Sequence, residues 1–561
     1  MYQVYPRSFA DSDGDGYGDL RGILQHLDHV EALGVDVVWL SPIYPSPQDD
    51  NGYDISDYQD VDPMFGTLAE LDELIAALHD RGMKLVMDLV VNHTSDVHPW
   101  FEASRSSKDD PKRDWYWWRP ARPGLEPGTP GAEPTNWESF FSGPTWELDP
   151  ETDEYFLHLF AVRQPDLNWE NPDVRHEVYA MMRWWLDRGV DGFRMDVINA
   201  ISKAVRPDGS LPDGTVTHGP HGDGSPHYLH GPRLHEFLAE MHREVFAGRE
   251  DRLITVGEMP GVTIDEARLF TDPARRELDM VFQFEHVSLD HGPGGKFDPR
   301  PLRLTDLKAS FGRWQAGLAD VGWNSLYWDN HDQPRIVSRW GDESPESAKA
   351  LATVLHLHRG TPYVYQGEEL GMTNAHFTKL DDYRDIESLR YAVEARTVGT
   401  PEGVILHGLG AMGRDNARTP MQWDGGPQAG FTTGTPWLAA NPNHTWLNAD
   451  AQRADDGSVF HHYRRLIALR HELPVVALGD FHMLLPHDEH VYAFARRLEG
   501  DELLVVANLS DAERQVSAAD LAWTAAELSG AELLVGDRPD AAGDQLRLAP
   551  WLSVVLRRPA H

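Results

Sequence analysis

The sequence predicts an α/β protein: a (β/α)8 TIM barrel with a small domain inserted after the third strand and a C-terminal antiparallel β-sandwich domain. Three observations predict it. A unit of amphipathic helix, glycine stop, short apolar strand and polar strand end recurs over roughly the first 360 residues. Asp196, Glu258 and Asp332 each stand at or just beyond the end of such a strand, the edge at which parallel barrels place their chemistry. Beyond Leu478 the pattern changes to short alternating runs joined by turn residues. An open doubly wound sheet is the alternative, but no Gly-x-Gly-x-x-Gly opens a helix after a strand, so its dinucleotide-binding version has no support.

Val4-Tyr5 begins the first strand. Leu20, Ile23, Leu24, Leu27, Val30 and Leu33 then share one face of a helix that Gly34 stops, and Val37–Leu40 follows as the second strand. Thr67 and Glu70 form a capping box ahead of Leu71, Leu74, Ile75 and Leu78, and Gly82 separates that helix from Leu85–Asp88. Pro172 suits a first helical turn, and Gly189 ends that helix before Gly192–Met195. Leu253–Val256, Val281–Phe284, Ser325–Trp328 and Tyr363–Tyr365 complete eight strands.

About ninety residues separate the third and fourth strands, too many for a connection, and they carry Trp115, Trp117, Trp118, Trp137, Phe140 and Phe141. The expected division is a barrel over 1–93 and 165–477, an inserted domain over 94–164 and a β-domain over 478–561. Within the barrel, 206–226 reads as an exposed Gly/Pro-rich loop and 371–450 as an irregular subdomain. A helix with Phe460, Tyr463, Leu466 and Ile467 closes the barrel before Pro474.

Composition narrows the function. The 561 residues carry 90 Asp+Glu against 50 Lys+Arg, a formal net charge of −40, which repels nucleic acid and anionic membranes. The absence of cysteine excludes disulfides and Cys-based metal or nucleophile chemistry and suits a reducing compartment. Residues 1–20 hold no basic region followed by an apolar stretch, and no window approaches eighteen apolar residues. A cytoplasmic protein without nucleic-acid or membrane partners is expected, as a monomer or weak homodimer. No Gly-x-Ser-x-Gly elbow, Walker loop or His-Glu-x-x-His occurs, and His218, His221, His461 and His462 read as surface positions.

In Gly192–Asp196, Arg194 and Asp196 are two apart on a strand and face one side, so the guanidinium is expected to keep the carboxylate ionised, as a nucleophile requires. Glu258 ends an apolar strand, where a raised pKa suits a general acid. Asp332 supplies a third acidic group, and two close carboxylates perform glycoside hydrolysis. Asp11-Ser12-Asp13-Gly14-Asp15-Gly16-Tyr17-Gly18-Asp19 sets oxygen ligands at alternate positions with glycine at the sixth, like the front of a calcium loop, although Gly22 stands where an EF-hand carries its last Glu.

Asp88–His93, Gly192–Asp196, Val256–Glu258 and Asn330–Asp332 resemble the four sequence regions of the α-amylase superfamily. Gln164–Asn168, Asp49–Tyr58 and Arg414–Trp423 resemble its oligo-1,6-glucosidase and α-glucosidase branch. The resemblance implies Asp196 as nucleophile, Glu258 as acid/base and Asp332 as the carboxylate holding the 2- and 3-hydroxyls of the sugar. It further implies a glucose subsite lined by Asp50, Tyr53, His93, Arg194, His331 and Arg414, with Asp50 and Arg414 closing its far end. Phe141, Phe160 and Gln164 would wall the aglycone side, and a structural Ca²⁺ would be bound by Asp11, Asp13, Asp15, the Tyr17 carbonyl and Asp19; no organic cofactor is implied.

The function implied is a retaining, exo-acting α-glucosidase acting on short oligosaccharides. In this branch a valine after the nucleophile goes with α-1,6 linkages and threonine or alanine with α-1,4; here it is Val197. An α-1,4-specific maltase with transglycosylation activity is the nearest alternative. Sucrose isomerases resemble the chain but carry an Arg-Leu-Asp-Arg-Asp-like segment where Val287–His291 stands, and trehalose synthase is a further alternative. A non-catalytic carbohydrate-binding homologue would lose the carboxylates that this chain keeps.

Overall fold

The computed structural model describes residues 1–217, 219–249 and 253–559; His218 lies outside them. Eight short parallel strands run in chain order: β1 (Tyr2–Val4), β2 (Val37–Leu40), β3 (Lys84–Val90), β4 (Gly192–Asp196), β5 (Ile254–Glu258), β6 (Met280–Phe282), β7 (Ser325–Leu326) and β8, in two pieces (Thr361–Pro362 and Val364–Tyr365). Each of β1 to β6 hydrogen-bonds to the next, and β8 returns to β1. A parallel bridge from Val281 to Asn324 joins β6 to β7, and β7 pairs with the first piece of β8. The ring therefore closes, which excludes the open sheet.

Local chemistry sets the elements between them. Thr67 and Glu70 make the reciprocal capping box of the helix Leu68–Asp80. Asn171 caps Pro172–Arg188, and left-handed Gly189 ends it. At Gly192 the strands approach so closely that a Cβ would lie 1.9 Å from the Ile254 carbonyl oxygen, so only glycine starts β4 here. The first helix departs from expectation: it splits into Leu20–Gln25 and Leu27–Leu33 at His26, whose ring Nδ1 lies 2.9 Å from the Gly22 carbonyl oxygen.

Between β3 and β4 a three-stranded antiparallel sheet forms from Trp118–Pro120, Glu154–Leu157 and Trp146–Asp149. Trp117, Trp137 and Trp146 bury their rings beside it. The 206–226 segment is mostly exposed, yet Asn136 and Trp137 donate to the carbonyls of Gly214 and Pro212 and tie it to the insertion. Residues 371–450 are less irregular than expected, since they hold the helices Ile386–Thr397 and Glu402–Met412. His462 is not a free surface residue: its ring reaches the Thr353 hydroxyl at 2.8 Å.

The helix Val459–Glu472 buries Phe460, Tyr463, Leu466 and Ile467 against the barrel. Beyond it, a five-stranded and a three-stranded antiparallel sheet enclose a second core. Its central strands, Val491–Leu498 and Asp501–Asn508, turn through Glu499-Gly500, both at positive φ. Both faces of these strands are covered. Tyr492, Phe494, Leu503 and Val505 join the barrel core, while Val491, Ala493, Leu504 and Val506 join the sandwich core. No helix among the described residues is long and apolar enough to cross a membrane.

Candidate active site

The three carboxylates meet at the C-terminal edge of the barrel, in a pocket of about 270 Å³. Arg194 is the hub beneath it. Pointing inward from β4 and fully buried, its guanidinium lies 2.6 Å from Asp88, 2.7 Å from Asp196 and 2.8 Å from Glu258. Trp39 donates its indole N–H to Asp88 from the neighbouring strand at 2.9 Å, which fixes the other side of that carboxylate. Asp196 and Glu258, at the ends of adjacent strands, are hydrogen-bonded to one another.

Burial raises the Asp196 carboxyl to about 6, against the pull of Arg194. Removal from water outweighs the neighbouring cation in setting this value, while the pull of Arg194 limits the rise so that Asp196 is still ionised at neutral pH. Burial also lifts Glu258, to about 8; Arg194 opposes the rise, and the negative charges of Asp196 and Asp332 add to it. At neutral pH the pair holds an ionised Asp196 beside a protonated Glu258, the division of labour that acid and nucleophile require. Burial pushes Asp332 upward too, but His331, Arg414 and Arg418, at 3.0, 3.1 and 2.8 Å, outweigh it and hold the carboxyl well below its usual range.

His331 Nδ1 accepts from the Gln3 side-chain amide at 2.8 Å, so Nε2 carries the proton that faces Asp332 and the Tyr53 hydroxyl. Tyr53 stacks on the His331 ring, centroids 5.2 Å apart, and donates to Asp88. Asp50, which burial raises to about 7, pairs with Arg414 at 3.1 Å. Asp385, absent from the sequence reading, braces Arg414 and Arg418 from behind at 2.6 and 3.1 Å. Asp50 and Arg414 both line the pocket, and the Arg414 guanidinium lies 5.2 Å from the centre of the Phe141 ring.

Val197 carries the strangest backbone in the site. Its φ is 34°, left-handed and uncommon for a β-branched residue, and this turn aims its N–H at Glu258 Oε2, 3.1 Å away. Such a conformation costs of order 1–3 kcal/mol and persists where the surroundings impose it.

Of the residues expected in the site, Asp50, Tyr53, His93, Phe141, Phe160, Asp196, Val197, Glu258, Asp332 and Arg414 line the pocket. Arg194 and His331 lie beneath it, fully buried. Gln164 does not wall it: buried, it donates to Asp50 and the Tyr53 carbonyl and so supports the lining from behind. Phe284, read from the sequence as a strand end, and Val287, Ser288 and His291, read only as the place where isomerases carry arginines, follow β6 and line the pocket as well, as loops after barrel strands do. Sequence reasoning missed Lys296 and Glu387, which pair at 2.7 Å across the pocket from two insertions without a periodic signal.

The calcium candidates lie outside the pocket. Single oxygens of Asp11, Asp13 and Asp15 come within 4.8 Å of one another. Asp19 instead caps the helix Leu20–Gln25, accepting from Gly22 at 2.6 Å and Ser12 at 2.8 Å.

The catalytic-domain model of the α-amylase family matches residues 3–479. The oligo-1,6-glucosidase of Parageobacillus thermoglucosidasius is 56% identical over 516 residues, 91% of this chain and 90% of that protein. Among solved structures, the trehalose-6-phosphate hydrolase of Bacillus licheniformis superposes with a TM-score of 0.91 at 45% identity, covering 99% of this chain and 98% of that one. The isomaltulose synthase of Erwinia rhapontici does so with 0.91 at 39%, covering 99% and 97%. A closed barrel with two hydrogen-bonded carboxylates on adjacent strand ends, matched over most of its length, places this chain in the α-amylase family as a glycoside hydrolase.

Proposed function

We propose that the protein is a retaining, exo-acting α-glucosidase that releases glucose from the non-reducing end of short α-glucosides, with α-1,6 linkages preferred. The observation that carries the reading is the Asp196–Glu258 pair, with its carboxyls at about 6 and about 8, in a pocket that the paired Asp50 and Arg414 also line. Asp196 attacks the anomeric carbon as Glu258 gives its proton to the leaving glycosidic oxygen. Water then attacks the glycosyl-enzyme with Glu258 as base, so the configuration is retained. Asp332, ionised and paired on its other flank, accepts hydroxyls of the sugar being cleaved and strengthens its hold as charge develops on the ring. An end closed by Asp50 and Arg414, as the family resemblance implies, would exclude a chain that continues past the non-reducing glucose, in keeping with exo action.

Relatives named trehalose-6-phosphate hydrolase make a phosphorylated disaccharide the second reading. The lining counts against it. Lys296 is spent on Glu387, Arg414 on Asp50, Asp332 and Asp385, and burial holds His291 at about 4 and therefore neutral. A phosphate would find no uncompensated cation among the described lining residues. Val287, Ser288 and His291 on the wall likewise bring no arginine, which favours hydrolysis over sucrose isomerisation.

A divalent cation fits the Asp11–Asp13–Asp15 group, three oxygen donors on one loop remote from the pocket, and would act structurally. A cysteine-free, acidic chain agrees with a cytoplasmic protein that acts on neutral sugars.

Incubation with isomaltose, maltose, sucrose, trehalose and trehalose 6-phosphate, with products separated by chromatography, tests the reading. Fastest release of α-glucose from isomaltose is expected, abolished in Asp196→Asn and Glu258→Gln by several orders of magnitude. Fastest turnover of trehalose 6-phosphate overturns it.

A further inference from the structure

Behind the strand edge that carries His331 and Asp332 lies a second group of buried acids with no part in the mechanism above: Asp329, Glu368 and Glu369, all nearly or wholly buried. Their donors are unequally shared. Glu369 accepts from the Tyr2 hydroxyl, the His29 ring and the Gly367 amide, each at 2.8–2.9 Å. Glu368 accepts from the Tyr463 hydroxyl at 2.7 Å and, more loosely, from the Tyr365 amide at 3.5 Å. Asp329 Oδ2 accepts from the Ile336 amide at 3.0 Å, while Oδ1, buried, faces no N–H or hydroxyl donor. The Glu368 carboxyl is the neighbour of Asp329, close enough for the two side chains to hydrogen-bond.

Two carboxylates hydrogen-bond only if one of them holds a proton. The nearby cation does not remove the need for it. Arg335 spends its guanidinium on the carbonyls of Gln366 and Ala417 and makes no ion pair with either acid. His356, edge-on to Tyr463, is kept neutral by burial.

The consequence falls on the site. The Asp329–Ile336 bond closes a short loop that contains Asn330, His331 and Asp332. Glu368, tied by Tyr463 to the barrel-closing helix, is the outer anchor of that loop. We propose that Glu368 is a positioning residue that is a neutral carboxylic acid at physiological pH, and that the proton it donates to Asp329 Oδ1 sets the loop presenting His331 and Asp332 to the substrate. Burial and the adjacent Asp329 charge both push the Glu368 carboxyl up, in keeping with that state.

Glu368→Gln supplies the same donor and the same acceptor for Tyr463 at every pH, whereas Glu368→Ala leaves Asp329 Oδ1 alone. A folded acid whose pKa is raised contributes stability present below its unfolded value and lost as pH rises through the folded one. Thermal melting of the wild type and both variants from about pH 5 to about pH 9 should therefore show Glu368→Gln gaining on the wild type as pH rises. The active-site carboxyls are common to both proteins and cancel in that difference. Isomaltose kinetics should give Glu368→Gln a kcat/KM within about two-fold of wild type, with Glu368→Ala lower by about ten-fold or more, much of it in KM. A Glu368→Gln deficit that is constant with pH, or an activity as poor as that of the alanine variant, overturns the assignment. The role given to Asp332 rests on the glucosidase reading, but the melting comparison needs no substrate, so the two can fail separately; it also decides if Glu368→Ala does not fold.

Discussion

The proton shared between Asp196 and Glu258 decides when this site can work. The proposed mechanism requires an ionised Asp196, whose carboxyl sits at about 6, and a protonated Glu258, at about 8. kcat/KM for isomaltose should thus be bell-shaped, rising through the lower value and falling through the upper, with the two limbs belonging to the pair and not to single residues. Asp332, held well below its usual range, sets neither limb. Both folded values are raised, so the pair's contribution to stability is present below the unfolded carboxyl range and fades as pH rises through about 6 and about 8. A pH–rate profile flat across that window contradicts the assignment. The linkage preference proposed above is assigned to Val197. Its side chain lines the pocket while its strained backbone holds Glu258, and an α-1,6 bond, with one more rotatable carbon than α-1,4, lets the leaving sugar swing past it. Val197→Ala opens space and Val197→Thr adds a hydroxyl, so both should raise kcat/KM for maltose relative to isomaltose. A methyl-sized feature is worth about 1–3 kcal/mol, hence a change of roughly ten-fold. A wild type that already prefers maltose removes the argument's first step. The carboxylates were legible because each stands at or just beyond the end of a short apolar strand, and Val197 through the family resemblance; the left-handed turn of Val197 was not, since nothing in a valine announces a positive φ.

At the scale of elements, one buried cation ties together the chain segments that flank the insertion, beside backbone bonds such as Leu167 to Asn92. Lys203, in the loop after β4, lies 2.6 Å from Asp166, 2.9 Å from the Asn92 side-chain oxygen and 2.7 Å from the Ala200 carbonyl, wholly out of water. It joins the exit of β3, the exit of β4 and the returning end of the insertion. Asp166 in turn fixes the backbone at Leu159, and its bridge to His93 runs beside the glucose pocket. Removing one member of a buried pair strands the other charge, which costs about 3–5 kcal/mol. Lys203→Met should unfold at markedly lower denaturant and lose kcat/KM through the displaced His93, while the double variant with Asp166→Leu should recover part of the stability. Equal stability of Lys203→Met and wild type in urea melts would assign the hold elsewhere. Such long-range pairs explain where the sequence was silent. Capping boxes, glycine stops and apolar stripes are local signals, so the barrel strands and the closing helix were readable. The use of Lys203, Asp385, Lys296 and Glu387 depends on partners dozens to hundreds of residues away. Burial misled at Val491–Leu498 for a related reason, since its residues alternate between two cores and no face is left for water.

For the molecule as a whole, the acidic loop between β1 and the first helix is a staple across the entire barrel sequence. The Asp11 amide donates to the Phe431 carbonyl at 2.9 Å, the Thr432 hydroxyl donates to the Asp11 carboxylate, and the Trp437 amide donates to the Gly16 carbonyl at 3.0 Å. Contact is tight enough that a Cβ on Gly14 would meet the Thr433 hydroxyl at 2.6 Å, and one on Gly16 the Thr435 carbonyl at 2.1 Å. Asp11, Asp13 and Asp15 crowd three negative groups at this junction in a chain of net charge −40. A divalent cation bound there, as proposed, would neutralise them and fix the loop against residues 431–437, and the native state alone would hold it. A ligand of that kind at 100 times its Kd stabilises by about 2.7 kcal/mol, which in a chain of this size shifts Tm by a few degrees. Exhaustive chelation should lower Tm by that amount, and calcium should restore it. kcat on the still-folded enzyme should barely move, because none of the three residues lines the pocket. Asp13→Asn should reproduce the chelated melting curve and blunt the response to added calcium. The order of these effects separates a structural ion from a catalytic one: an ion that acted in the chemistry would abolish turnover before it changed the melt, whereas a staple loses stability first. An unchanged melt after chelation, with no calcium by elemental analysis, leaves the loop as an acidic turn held by its own amides.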